Sequence, residues 1–139
     1  MIVADVLTEL LQAVKATGLQ VPNRWGERPN QPPMALVEMP ARVDFDVGGR
    51  GLDRIPDINL VVLVGDPTRD DSFRQAAPYM DGAGPRSLKQ ALEAHRYVSC
   101  STVRLAWLEP TVASLQDTKH LAIIAHIDVT GSRTKGAPR

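Results

Sequence analysis

The spacing of apolar positions changes from one segment of the chain to the next, and each spacing predicts an element. Val3, Val6, Leu7, Leu10, Leu11 and Val14 recur at helical intervals, with Asp5, Glu9, Gln12 and Lys15 on the opposite face. This predicts an amphipathic helix from about residue 2 to 17 that lays one face on a core and stops at Gly18. In the middle of the chain Leu60, Val61, Val62, Leu63 and Val64 run without a break, bounded by Pro56 and by Gly65-Asp66-Pro67. A short β-branched run between turn residues predicts a strand over 57–66, buried on both faces.

The flanking segments supply partners for that strand. Residues 34–39 read as a strand, Pro40 interrupts, and Arg42-Val43-Asp44-Phe45-Asp46 alternates as a half-exposed strand does. After the central strand, Asp66 or Thr68 is placed to cap a helix over 69–80, with Pro67 at its start and Asp70 and Asp71 in its first turn. Gly82 and Gly84-Pro85 break it, and Ser87 with Gln90 has capping-box spacing for a second helix over 88–96. Val103, Leu105 and Trp107 then alternate with polar or small residues, and a turn is expected near Glu109-Pro110. From Lys119 to Thr130, Leu121, Ile123, Ala125, Ile127 and Val129 share one face, which predicts the longest strand. Helix, strands, two helices and strands without a βαβ repeat predict a single α+β domain over 1–131 with a largely antiparallel sheet. Residues 132–139 form a basic segment with nothing to bury and are expected to be a flexible tail.

Composition narrows the class of partner more than the fold. With 43% apolar and 23% charged residues, the chain of 139 is an ordinary globular domain, long enough to bury roughly 68% of its unfolded surface. Zero formal net charge provides no general attraction for nucleic acid or membrane. Arg outnumbers Lys, which follows from a genome rich in G and C or from a role at interfaces. The single cysteine, Cys100, excludes an intramolecular disulfide and a Cys-rich zinc site, and it fits a reducing compartment. The apolar runs are too short to span a bilayer, and the N-terminus lacks a signal-peptide pattern, so synthesis and use, or assembly, inside a cell are expected. Two Trp, two Tyr and two Phe are too few for a base-stacking platform.

No catalytic constellation emerges from the residue types. His120, His126 and Asp128 point to one side of the last strand, but the two histidines lie roughly 20 Å apart along it and cannot share an ion. His126 with Asp128 is therefore read as a solvent-exposed or interface pair. Cys100 sits between Ser99 and Ser101 and is expected to be a packed thiol rather than a nucleophile. There is no nucleophile elbow, P-loop or HExxH motif, and Asp70-Asp71 reads as helix capping. The glycines of Gly48-Gly49-Arg50-Gly51 precede no Lys-Ser/Thr and open no helix, which argues against a phosphate cradle. The reading is a non-enzyme without metal or cofactor. Trp25, flanked by Arg24 and Arg28 in the Pro-rich stretch 22–33, either pins that loop to the domain or anchors a partner.

Taken in order, these segments resemble the tail terminator proteins of long-tailed, non-contractile bacteriophages. The resemblance runs through the amphipathic first helix, the Pro-rich loop into Pro33-Met34-Ala35-Leu36-Val37, Arg42-Val43-Asp44-Phe45-Asp46, the Gly-Arg-Gly loop with Asp53, and the strand ending Val64-Gly65-Asp66. It continues through the helix containing Arg74, the segment Gly84 to Glu93, and the final strand. Asp81-Gly82-Ala83 is less distinctive than the family's pattern, and the basic tail has no counterpart. The resemblance implies an α+β subunit of a homohexameric ring in the virion, on the head-proximal end of the tail tube. Such a ring is assembled in the host cytoplasm, stops tube polymerisation and offers the surface that joins the head. Its implied partners are other copies of itself, the tail-tube protein and a head–tail connector protein, with DNA passing the lumen without specific binding and no membrane involved. Within that reading the long connection 48–56, which concentrates Arg50, Asp53 and Arg54 beside glycines, is the candidate subunit interface. Another connector component (a stopper or adaptor) is the first alternative. A small cellular ligand-binding domain or enzyme, which would need a pocket with convergent polar groups, is the second.

Overall fold

The computed structural model describes residues 1–22, 31–115 and 117–132. Trp25 and residues 133–139 of the basic tail lie outside the described residues. Helix α1 spans Val3–Val14 and tightens into a 3₁₀ turn, Lys15–Thr17. Gly18 closes it at φ 88°, a left-handed conformation that costs glycine little. Strand β1 (Met34–Val37), strand β2 (Leu52–Gly65), helix α2 (Asp70–Ala76), helix α3 (Leu88–Ala94), strand β3 (Thr102–Leu115) and strand β4 (Thr118–Ser132) follow. The strands form one antiparallel sheet in the order β1-β2-β4-β3. The fold is α+β, with α1 packed on the sheet.

The central strand is covered on both sides, as its unbroken apolar run requires. On one face Ile58, Leu60, Val62 and Val64 join α1, Leu88 and Leu92 of α3, and Ile123, Ala125, Ile127 and Val129 of β4 in the main core. On the other, Val61 and Leu63 pack with Met34 and Ala122 in a smaller cluster. Close approach of α2 is set by Gly65: a Cβ there would lie 2.9 Å from the Ser72 Oγ. The first turn of α3 is held by the Ser87 Oγ, which accepts the Gln90 N–H at 3.1 Å. The Gln90 side chain does not return to Ser87 as a capping box would; its Oε1 accepts the Gly84 N–H at 3.0 Å.

Four local expectations are corrected. Asp66 and Thr68 do not cap α2, whose N-cap is Arg69; the Asp66 carboxylate instead accepts the Thr68 N–H (2.9 Å) and hydroxyl (2.7 Å), closing the turn before the helix. Arg42 to Asp46 form no strand beyond a bridge of Asp44 to Arg54, because Asp46 (φ 53°) and Gly48 (φ 72°) turn the chain away at once. Strand β2 begins at Leu52 rather than after Pro56; a bulge between Ile55 and Ile58 absorbs the proline and Asp57 (φ 54°). Asp53 and Arg54 are therefore strand residues, and the loop proper is shorter than the sequence suggests. Finally, β3 runs straight through Glu109-Pro110 to Leu115. Proline is tolerated there because β3 is an edge strand with no neighbour needing its N–H.

Candidate interaction surfaces

The connection between β1 and β2 is an ordered loop held by its own polar groups. The carboxylate of Asp53, itself 4% exposed, accepts the Asp46 N–H at 3.0 Å. The Asp46 carboxylate accepts the Gly51 N–H at 2.7 Å, and its carbonyl accepts the Gly49 N–H at 3.1 Å. Reciprocal bonds between Asp44 and Arg54, 2.7 and 2.8 Å, tie the entry of the loop to β2. Glycines 48, 49 and 51 take positive φ between 69° and 72°, which lets so short a segment curl back. The result is a fixed loop that carries Phe45 (70% exposed), Val47 and Arg50 outward.

The three interface candidates therefore play different parts. Asp53 is buried and staples the loop. Arg54 makes a bidentate pair with Asp128, Nε to Oδ1 at 2.9 Å and Nη2 to Oδ2 at 2.7 Å, across β2 and β4. Of the three, Arg50 alone is an exposed loop residue.

His126 and Asp128 do share a face, but they are not a pair. His126 is buried, and its partners are Asp57, whose Oδ1 lies 2.5 Å from Nδ1, and Glu109, whose Oε1 lies 2.9 Å from Nε2. Carboxylates on both ring nitrogens favour the protonated ring, the form in which both nitrogens donate. Burial pushes its pKa down, and the bonds and charges of Asp57 and Glu109 outweigh that and raise it. Trp107 lies flat on the ring at a centroid distance of 3.8 Å and 3° between planes, a cation–π stack whose outer side is open to solvent. The alternation of β3 predicts Trp107 on the half-buried face of Leu105, and this is corrected: the bulge between Leu105 and Trp107 turns the indole onto the opposite face, over His126. Nothing linear connects Asp57, Glu109 and His126, which the β2 bulge and the strand register bring together.

A second carboxylate centre also escaped sequence reasoning. Glu9, on the polar side of α1, accepts the N–H groups of Val98 and Ser99, the Ser99 hydroxyl at 2.6 Å and a bond from His95 Nε2 at 3.1 Å. It pins the connection between α3 and β3 to the first helix. Cys100, beside that connection, is buried in the main core as a packed thiol.

Among the described residues no group of three or more His, Cys, Asp and Glu side chains is disposed to hold a metal ion, and no helix is long and apolar enough to cross a membrane. No protein-family model matches the chain, and no curated protein matches it. Phe45, Val47 and Arg50 on the loop and Trp107 on β3 are the outward-facing side chains that these hydrogen bonds and the ring stack hold in place.

Proposed function

We propose that the chain is a structural virion protein: a subunit of a homohexameric ring that caps the head-proximal end of a phage tail tube, halts its growth and presents the head-joining surface. The observation that carries this reading is the loop between β1 and β2. A loop held by a buried carboxylate and reciprocal backbone bonds, yet displaying Phe45 and Arg50 to solvent, spends its order on a surface and not on the core. Order of that kind lowers the entropy lost when another protein docks. The segments resembling tail terminators include this loop and give the reading its biological setting.

The test is assembly of the purified full-length chain. Native mass measurement and sedimentation are expected to show six copies, and addition to polymerising tail-tube subunits is expected to shorten the tubes seen by electron microscopy. A monomer at high concentration, or tubes of unchanged length, would overturn the proposal. Binding to a head-side connector with no effect on tubes would assign the chain to a stopper instead.

A further inference from the structure

Two exposed apolar patches sit at opposite edges of the sheet. Along the connection between β1 and β2, Met39 (68% exposed), Phe45 and Val47 stand out from the surface, and Leu52 follows them. This arm lies on the β1 side, because Asp44 bridges Arg54 while Thr130 of β4 occupies the other side of that residue. At the far edge, on β3, Trp107 is 54% exposed. There Met80, Leu105, Trp107 and Leu108 line a shallow groove together with Asp81 and Lys89.

Both patches are fixed in place. The arm is held by the Asp53 and Asp46 carboxylates, and Trp107 is held by its stack on His126. The β3 edge is also barred to an added strand: a bulge lies between Leu105 and Trp107, Pro110 offers no N–H, and the Glu93 carboxylate occupies the Leu105 N–H at 3.0 Å. A partner at this edge has to bind through side chains. Trp is the residue type most often found at the energetic centre of such contacts.

We propose that the arm of one copy, led by Phe45 and Met39, seats in the Trp107 groove of the next copy. This rests on the ring reading above and adds which surfaces meet. A second copy is the occupant because each chain carries one patch of each kind, on edges that face apart and cannot meet within one molecule. Head-to-tail repetition covers both patches, and such a heterologous contact closes into a ring when its rotation allows. One charge match agrees in sign: the arm carries the exposed Arg50 and the groove the exposed Asp81, whereas Lys89 of the groove already pairs with Glu93 and Arg42 of the arm with Asp44. A specific contact uses roughly 20–30 residues a side, and the arm supplies about half of that in one continuous segment.

The experiment uses full-length Phe45→Glu and Trp107→Ala chains, alone and mixed, followed by sedimentation over a concentration series. Each variant alone is expected to self-associate at least tenfold more weakly than the wild type. Mixed together, each supplies the half the other lacks, so an equimolar mixture is expected to form hybrid dimers that cannot extend. Met80→Glu stands in for Trp107→Ala if that chain does not melt cooperatively. If the wild type forms a ring and the variants form it equally well, the contact is wrong and the ring reading stands. Absence of hybrid dimers, or complete rings in the mixture, also overturns the contact. A wild type that stays monomeric removes the ring reading and this contact with it.

Discussion

Glu9 shows how far a single side chain can depart from its place in a pattern. By spacing it belongs to the solvent face of an amphipathic helix, and most residues at such positions contribute little. Here its carboxylate gathers the Val98 and Ser99 amides, the Ser99 hydroxyl and His95. Burial raises its pKa, but the bonds from Ser99, Val98 and His95 prevail and hold it below the ordinary carboxylate value. Glu9→Ala leaves the part-buried Ser99 and His95 donors unmatched in the connection to β3, and it is expected to lower stability by about 1–3 kcal/mol. Urea unfolding measures this; a loss under about 0.5 kcal/mol, typical of an exposed position, would show that water replaces the carboxylate without cost.

At the scale of elements, the periodic segments were legible and their ends were not. Helix α1, β1, the buried core of β2, α3 and β4 lie where apolar spacing puts them, because that spacing records which face meets the core. Starts and stops depend on neighbours: Pro110 ends no strand because β3 needs no bond on that side, and Pro56 sits within β2 because a bulge absorbs it. The loop after β1 is the clearest case. Its glycines were visible in sequence, but the buried Asp53 carboxylate that orders it was not separable from a surface aspartate. Asp53→Ala is expected to free residues 46–51 while leaving the strands intact. Hydrogen exchange at Gly49 and Gly51 should then accelerate at least tenfold with little change in exchange across β4. Unchanged exchange in the loop would mean that the glycine turns hold it unaided.

For the whole molecule, two charged centres of opposite character bound the pH range of greatest stability. His126 has a raised pKa in the folded chain, so its contribution is complete below the unfolded value of about 6.5 and is lost as pH rises through the folded value. Glu9 is depressed, so its contribution is complete above the ordinary value near 4.5 and is lost as pH falls through the folded one. The urea midpoint is expected to be highest between these limits, with His126→Gln removing the decline on the alkaline side. A wild-type midpoint that stays flat from about pH 6.5 to 9 would show that the ring is neutral when folded.

The sequence by itself determined the class of the fold, the two-sided burial of the central strand and the packed state of Cys100, since each follows from local spacing or residue type. Only the tertiary structure decided which polar residues act together. Asp57 and Glu109 stand 69 and 17 residues from His126, and Ser99 stands 90 from Glu9. Such pairings depend on strand register, on a bulge that turns one side chain toward another, and on how a helix is rotated against the sheet. Hydrophobic periodicity sets which face of an element is buried, but it carries no record of which polar group lies opposite.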